Sequence, residues 1–363
     1  MEDIYNWHYP NQQYLRNQKS LARVAMVYSQ QTAAFYGGQQ ARSKVEDATL
    51  GFYQALVEAR IPFEMVHDGL LDAPHVDRYR TLILPNIAAL SNGQCDQIRG
   101  FVERGGNVVA TYETSLYDEW GVRRSDFGLA SLFDASFEGR VEGPMLNSYL
   151  TLEKDPATGR YHPLLAGFED ATRIINGVNR VVVRPLGTAN PAPLTVVPSY
   201  PDLPMEEVFP RPANKVEAGV FLHQVGPSRV IYFPFDLDRT FWEVLDVDHG
   251  KLLRNAVLWA TNEPAPVTVH GSGVLDLAVW EQKNSMTVHL VNLTNPMMMK
   301  GPVREIIPVG SQHVSIRVPE SRRVRAARLL VAGKDVAFHR NRDGVHLDVP
   351  SIGVHEVIAL DYS

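Results

Sequence analysis

Three carboxylates lie within seven residues of one another: Glu113, Asp118 and Glu119. Carboxylates that converge in space can perform acid–base chemistry or bind a divalent cation. The alternative, which we favour, is a solvated loop in which these groups cap the next helix or pair with Arg123 and Arg124. Adjacent Asp118 and Glu119 form no motif without a partner in space. The loop is therefore a candidate site, but the sequence assigns no catalytic residue to it.

A second polar loop, residues 29–38, follows a short apolar run and contains Gln30, Gln31 and Tyr36. Long loops at strand ends are often functional, so this loop could hold a ligand or pack against a neighbouring subunit. We take these three residues, together with Trp120, as candidate ligand or interface residues. The loop has neither G-x-G-x-x-G spacing nor the Gly-Lys-Ser/Thr end of a P-loop, so no nucleotide or other cofactor is predicted.

Cysteine and histidine chemistry is not indicated. Cys95, the only cysteine, shares an apolar helical stripe with Ile98 and Val102, which favours a buried and inert thiol. The 12 histidines contain no H-x-x-x-H pair, so no metal site is predicted. A nucleophile elbow needs Ser or Cys in a tight turn after a strand, and Tyr112-Glu113-Thr114 does not supply one.

The elements that must position these loops alternate between apolar runs and amphipathic stretches. The pattern predicts strands at 24–28, 63–66, 81–85 and 107–112, and helices at 45–59 and 92–104. Nearly continuous apolar strands separated by helices are typical of a parallel sheet covered on both faces. Ser91 can cap the second helix and Gly105-Gly106 can end it. Ligands bind beyond the carboxyl ends of such strands, so the loops after Tyr28, Asn86 and Tyr112 are the first candidates for a binding site.

The rest of the chain is predicted to be richer in strands. We expect strands at 145–152, 180–186 and 195–200, a hairpin from 218–223 to 229–233 through Gly226-Pro227, and a helix at 251–261. Residues 262–266 are typical of a linker. Beyond them the apolar runs are short and strand-like, which predicts an all-β sandwich with strands at 274–281, 286–293, 314–318, 326–331, 344–349 and 354–360. Trp280, His289 and His313 could form a sugar-binding face, although ordinary packing is favoured.

Composition limits the class of protein. The 363 residues are 45% hydrophobic and 21% charged, with a net charge of −6 and no long run of one sign, which excludes an electrostatic footprint for nucleic acid. Residues 1–20 lack the apolar core of a signal peptide, and no stretch is long and apolar enough to span a membrane. With one cysteine, a reducing cytoplasm is the simplest compartment.

Several segments resemble a known family. Residues 105–112 and 117–121, with 22–86 upstream and 229–236 downstream, are similar to the trimerisation domain of the β-galactosidase family of glycoside hydrolases. The tail, at 289–295, 304–308 and 349–356, is similar to the C-terminal region of bacterial glycosyl hydrolases. The resemblance implies a flavodoxin-like, class I glutamine amidotransferase-like fold without its catalytic residues. By this resemblance, the amidotransferase nucleophile would fall near Tyr112 or Glu113 and the late catalytic histidine near Phe235. The residues at these positions do not have the side chains that those roles need.

The resemblance implies a non-catalytic accessory and oligomerisation role. We expect an N-terminal extension or linker at 1–20, an α/β domain at 21–263 and a β-sandwich at 264–363. The partners implied are further copies of the chain, a trimer by resemblance, or a catalytic barrel in the same or another chain. Two alternatives stay open: a stand-alone glycoside hydrolase that uses the loop carboxylates, and a carbohydrate-binding module.

Overall fold

The computed structural model describes residues 2–187, 192–197, 217–295, 301–319 and 321–362. Contacts divide the chain into two compact units. We call Val24–Ala55 with Glu64–Asn262 the α/β unit, and Met1–Arg23, Leu56–Phe63 and Glu263–Ser363 the β unit. Among the described residues, no helix combines the length and the apolar character needed to cross a bilayer.

The helices and strands follow in chain order. The helices are α1 Glu2–Leu15, α2 Asp47–Glu58, α3 Ala73–Val76, α4 Asn92–Glu103, α5 Ala130–Phe133, α6 Leu237–Val244 and α7 Val247–Thr261. The strands of the first two-thirds are β1 Lys19–Ser20, β2 Val24–Tyr28, β3 Phe63–His67, β4 Thr81–Leu84, β5 Asn107–Thr111, β6 Ala135–Glu142, β7 Tyr149–Leu152, β8 Arg173–Ile175, β9 Arg180–Pro185, β10 Leu194–Val197, β11 Phe221–Val225 and β12 Ser228–Phe233. The remaining strands are β13 Val267–His270, β14 Leu275–Glu281, β15 Ser285–Asn292, β16 Gln312–Ile316, β17 Val324–Leu329, β18 Lys334–Asp335, β19 Phe338–Arg340, β20 Val345–Val349 and β21 His355–Tyr362.

The α/β unit is built on a six-stranded sheet in the order β11-β12-β5-β4-β2-β3. Strands β2, β4, β5 and β12 pair in parallel, and β11 closes one edge antiparallel to β12. Every residue of β4 and β5 is buried, as the continuous apolar runs predicted. The predicted mixed α/β class with a parallel sheet is confirmed. Because parallel strands end at one edge, the loops after β2, β4 and β5 leave the sheet together.

Local signals placed α4 accurately. The Ser91 side chain accepts from the Gln94 backbone N–H at 3.1 Å, and the Gln94 side chain accepts from the Ser91 N–H at 2.8 Å. This reciprocal capping box satisfies two donors that would otherwise lack partners at the helix start. At the other end Gly105 has a φ of +101°, a conformation that favours glycine. The predicted start and stop of this helix are confirmed.

The middle of the chain was harder to predict. The strands expected at 145–152 and 180–186 are shorter, at Tyr149–Leu152 and Arg180–Pro185. The strand expected at 195–200 is observed at Leu194–Val197, and its last residues lie outside the described part of the chain. The predicted hairpin is confirmed as β11 and β12. Helix α7 begins four residues before the prediction, because the Asp246 carboxylate accepts from the N–H groups of Asp248 and His249.

The β unit contains two antiparallel sheets. One has the order β1-β14-β15-β21-β17-β18 and the other β13-β16-β20-β19. Apolar residues of both sheets form one buried cluster, which includes Leu277, Val288, Val314, Leu347 and Ile358. The six predicted strands of this region are present, and β13, β18 and β19 are additional.

Residues 2–20, expected to be an extension or linker, contain regular secondary structure. They contain helix α1 and the short strand β1, which pairs with β14 through Lys19 opposite Glu281 and Ser20 opposite Trp280. The Trp7 indole N–H donates to the Leu330 carbonyl at 3.1 Å. This segment therefore belongs to the β unit.

Candidate functional site

Backbone hydrogen bonds join the loops after β4 and β5 in the α/β unit. The Ser115 N–H donates to the Ile87 carbonyl at 2.9 Å, and the Tyr117 N–H donates to the Ala88 carbonyl at 3.0 Å. The Leu90 N–H donates back to Tyr117 at 3.1 Å. These bonds extend the sheet edge into the loops, so the side chains there are held on a rigid support.

Glu113 is the central carboxylate of this edge, and its side chain is bound on both oxygens. The Tyr36 hydroxyl donates to Oε2, and the Tyr117 hydroxyl donates to Oε1 at 3.1 Å. The two phenol rings lie 4.9 Å apart. Glu113 is only 6% exposed, and its backbone N–H donates to Asn86 Oδ1 at 3.2 Å. Candidate residues from two loops, Tyr36 and Glu113, are thus brought into direct contact. We call Tyr36, Glu113 and Tyr117 the tyrosine–glutamate cluster.

Burial raises the pKa of Glu113, while the two phenol hydrogen bonds and the nearby charges of Lys44 and Arg123 lower it. The shift is the kind found at functional sites, but structural carboxylates also show it. Both carboxylate oxygens already accept hydrogen bonds, so the group is held rather than presented to a substrate. Its chemistry is that of a buried acceptor which ties the two loops together.

The other loop carboxylates do not join this cluster. Asp118 organises a turn, in which its Oδ1 accepts from the Trp120 N–H at 3.0 Å and the Val122 N–H at 2.9 Å. Glu119 is half-buried. Of the two arginines considered as partners, Arg124 instead donates to Asn92 Oδ1 and to the Leu90 carbonyl, whereas the charge of Arg123 acts on Glu113. The acidic run is therefore a turn and not a carboxylate pair.

Of the two glutamines, Gln31 is part of the scaffold. Its amide donates to the Ala89 carbonyl at 3.0 Å and to Gln94 Oε1 at 3.1 Å, which links the loop after β2 to the start of α4. Gln30 is exposed. Gln31 positions its loop, and Gln30 remains a candidate contact residue.

An exposed aromatic pair lies on the same two loops. The rings of Phe35 and Trp120 meet edge to face with centroids 5.4 Å apart, and the residues are 49% and 67% exposed. Gly121 makes this approach possible, because a Cβ there would lie 2.3 Å from the Phe35 carbonyl oxygen. Sequence reasoning selected Trp120 but not Phe35, whose partner is distant in sequence. We call Phe35 and Trp120 the aromatic pair.

A second buried carboxylate, Asp238, was not found from the sequence. It is fully buried, and the Thr111 hydroxyl donates to its Oδ2 at 2.7 Å. The same hydroxyl accepts from the Asn86 N–H at 2.9 Å, so this chain of bonds joins the ends of β4 and β5 to α6. Burial, together with the neighbouring Asp236 charge, raises the pKa of Asp238 to about 7, although the hydrogen bonds from the Thr111 hydroxyl and the Arg239 N–H lower it. Helix α6 carried no clear signal in the sequence.

The residues expected to be inert are so placed. Cys95 is buried, and burial raises the pKa of its thiol to about 11. His223 Nδ1 lies 2.9 Å from the Leu132 carbonyl oxygen, so this histidine has a structural hydrogen-bond partner. Among the described residues, no three His, Cys, Asp or Glu side chains come together as a metal site would require.

The three residues considered for a sugar-binding face lie on two different sheets. Trp280 and His289 lie on neighbouring strands of the six-stranded sheet, whereas His313 lies on β16 of the other sheet. The three residues therefore do not form one face.

A cavity of about 710 Å³ in the α/β unit has His162, Tyr161 and Trp259 in its lining. The Trp259 ring already has two neighbours: the Arg229 guanidinium lies 4.7 Å from its centroid, and the His162 ring centroid lies 5.0 Å away.

The tyrosine–glutamate cluster makes a testable prediction. We expect Tyr36→Phe to lower the free energy of unfolding by about 1–3 kcal/mol at pH 8, because it removes a donor from a buried carboxylate. The loss should be smaller at pH 4.5. The pKa of Glu113 is raised in the folded state, so its ionised form, which dominates at pH 8, stabilises the fold less than its neutral form does. Loss of the Tyr36 hydrogen bond raises this pKa further, and the added cost falls on the ionised form. Urea titrations at both pH values measure the difference, with Tyr28→Phe, at a more exposed position, as control. Equal losses at both pH values would contradict the assigned hydrogen bond to an ionised group.

Residues 22–132, which contain both loops, match the family model of the β-galactosidase trimerisation domain. No curated protein matches the sequence significantly. An α-L-fucosidase isoenzyme 2 from Paenibacillus thiaminolyticus is similar in structure, with a TM-score of 0.71 and 16% identity over 99% of this chain and 51% of that chain.

Two β-galactosidases are also similar. The enzyme from Bacillus circulans sp. alkalophilus has a TM-score of 0.62 and 13% identity, over 96% of this chain and 42% of that one. The enzyme from Rahnella sp. R3 has a TM-score of 0.56 and 14% identity, over 92% and 41%. This chain thus spans about half or less of each relative, and at these identities the likeness concerns the fold. Residues 22–132 therefore match a β-galactosidase trimerisation domain, in a fold shared with solved β-galactosidases and an α-L-fucosidase.

Proposed function

We propose that this chain is the accessory and oligomerisation portion of a glycoside-hydrolase-like protein in carbohydrate metabolism, and that it is not itself catalytic. The observation that carries the proposal is the exposed aromatic pair within the segment that matches the trimerisation domain. The partner is a second copy of this chain.

The physical argument for self-association has two parts. Exposure of the aromatic pair to water is unfavourable in free energy, and buried contacts hold the two loops that carry the pair. Phe35 and Trp120 present two large rings, and Val122 beside them is 63% exposed. Aromatic residues on rigid loops are favoured in interface cores because they bury much area with little loss of side-chain entropy. The tyrosine–glutamate cluster and Gly121 hold the two loops in place, so an interface there would be preformed.

The remaining parts of the proposal concern architecture. The parallel sheet is compatible with a flavodoxin-like, amidotransferase-like arrangement, with domains at 21–263 and 264–363. Tyr112 supports this, since it follows β5 with a φ of +51°, in the left-handed region that a nucleophile would occupy at a strand end. The two antiparallel sheets that share one core support a β-sandwich. A catalytic barrel would be supplied by the same polypeptide or by another one, and the free thiol of Cys95 suits a reducing cytoplasm.

Light scattering after gel filtration tests the proposal. We expect the wild-type chain to have a mass that is a multiple of 40.6 kDa, three chains if the trimerisation model applies. The double variant Phe35→Ala, Trp120→Ala should dissociate to 40.6 kDa at concentrations where the wild type stays assembled. Leu258→Ala on α7, 51% exposed, is the matched control and should leave the mass unchanged.

The outcomes separate the two parts of the proposal. A wild-type chain that stays at 40.6 kDa at the highest soluble concentration contradicts the oligomerisation role. An assembled double variant with wild-type circular dichroism contradicts the aromatic pair as the interface and leaves another surface to be found.

A further inference from the structure

Two histidines meet on the outer face of the six-stranded sheet of the β unit. His289 on β15 and His355 on β21 lie on adjacent antiparallel strands, in which His289 is opposite Val357 and His355 is opposite Val291. His355 Nε2 lies 3.3 Å from His289 Nδ1, and the rings stack with centroids 5.4 Å apart at 26°. We call these two residues the histidine pair.

The contact between the rings is possible only in some protonation states. One nitrogen must donate and the other must accept, so at least one of the two facing nitrogens carries no proton. When both rings are cationic, two N–H groups and two positive charges face each other. His289 Nε2 is buried and has no hydrogen-bond partner among the described residues, so a proton added there would also lack an acceptor.

Helix α1 reaches the histidine pair through a contact with His355. The Trp7 ring meets the His355 ring edge to face at 6.2 Å and 70°. Tyr14 forms a small apolar cluster with Leu330, Val357 and Ala359, against which Trp7 also packs. Two hydrogen bonds also join the helix to the β unit: the Trp7 indole N–H donates to the Leu330 carbonyl at 3.1 Å, and the Gln282 amide donates to the Tyr14 carbonyl at 2.8 Å.

The other charged and titratable groups near this face are few. On β21, burial lowers the pKa of His355, and the charge of Glu356 acts in the opposite direction. The Glu356 carboxylate itself already accepts hydrogen bonds from the N–H groups of Val331, Ala332 and Val357. On β14, Asp276 is the acidic residue near His289, opposite Val291, and burial raises its pKa. On α1, Tyr14 donates to Asp361 at 3.2 Å, and Arg328 of β17 lies 3.9 Å from the same carboxylate. None of the contacts described places an acidic group on His289 Nε2.

We propose that the histidine pair is a pH-sensitive latch: protonation of its two rings releases helix α1 from the sheet while the sheet itself stays folded. Release uncovers Trp7 and the apolar residues Val357 and Ala359 beneath the helix.

The direction of the pH dependence follows from the burial of both rings. Burial, together with the charge of the nearby His355, lowers the pKa of His289 to about 4, and burial also lowers the pKa of His355. Release of the helix exposes the rings to water, so their pKa values move back towards the ordinary value of about 6.5. Stability of the closed helix is therefore complete above pH 6.5 and falls as the pH drops towards 4. For His289 alone the opening constant should rise as the pH falls, by at most about tenfold per pH unit.

Hydrogen exchange measured by mass spectrometry on the full chain tests the latch. Rates at pH 7.5, 6 and 5, corrected for intrinsic exchange, give the opening constants of residues 2–15 and of strands β14 and β15. In the wild type, α1 should open progressively below pH 6.5 while the strands stay protected. The double variant His289→Asn, His355→Gln should lose this dependence, and His355→Gln alone should weaken it. The control His339→Gln alters an exposed histidine of the other sheet and should behave like the wild type.

Two results would overturn the latch. One is loss of protection in α1 and the strands together, which is ordinary acid unfolding. The other is a pH dependence of α1 that the single variant His355→Gln leaves unchanged while the strands remain protected. The single variant also keeps the test decisive if the double variant does not fold.

Discussion

Gly51→Ala should melt about 6–12 °C below the wild type, although alanine is the better helix former. In an exposed helix interior the exchange would stabilise by up to about 1 kcal/mol. Here a Cβ on residue 51 of α2 would lie 1.9 Å from the backbone carbonyl oxygen of Asp238. A main-chain atom cannot move aside as a side chain can, so the helix must shift from α6 at a cost of about 3 kcal/mol.

Scanning calorimetry measures the change in melting temperature. Gly93→Ala is the matched control, because it is also in a helix and its nearest neighbour would be Ser91 Oγ at 3.8 Å. We expect this control to be neutral or stabilising. If Gly51→Ala melts at or above the wild-type temperature, α2 and α6 do not approach as described.

Asp238→Asn should remove much of the pH dependence of stability between pH 4 and pH 7. The folded pKa of about 7 is far above the ordinary value of 3.8. The carboxyl therefore stabilises the fold fully below pH 4, and this contribution is lost as the pH rises to 7 and then stays constant. A shift of about three pKa units corresponds to about 4 kcal/mol. The neutral amide cannot ionise, so the variant should gain on the wild type by most of that amount between pH 4.5 and pH 8.

Urea unfolding across this pH range gives the difference between the two proteins. Asp170→Asn is the control, because it removes the same charge from an exposed position and should follow the wild-type curve. A constant difference between Asp238→Asn and the wild type from pH 4.5 to pH 8 would mean that Asp238 is ionised throughout. The bond from the Thr111 hydroxyl would then stabilise a buried anion rather than a neutral acid.

The sequence predicted best what depends on neighbours in the chain. The apolar runs of β4 and β5 indicated buried strands, and both are buried throughout. Ser91 indicated the start of α4 because a cap acts over three residues, within reach of sequence inspection. The loops after β2 and β5 were selected because parallel strands end at one edge. Helix α6 was missed because Asp236 at its start makes no side-chain capping bond, and the early start of α7 was missed because its cap, Asp246, lies close behind α6.

By itself, then, the sequence determined the alternation of strands and helices, the parallel sheet and the loops that leave its edge. Only the tertiary structure decided that Glu113 meets Tyr36, 77 residues away, and that Phe35 meets Trp120. It also decided that Gly51 must lack a side chain because Asp238 passes beside it. The physical reason is that periodicity reports which face of an element is buried. Which side chains then touch depends on long-range packing, which leaves no local pattern in the chain.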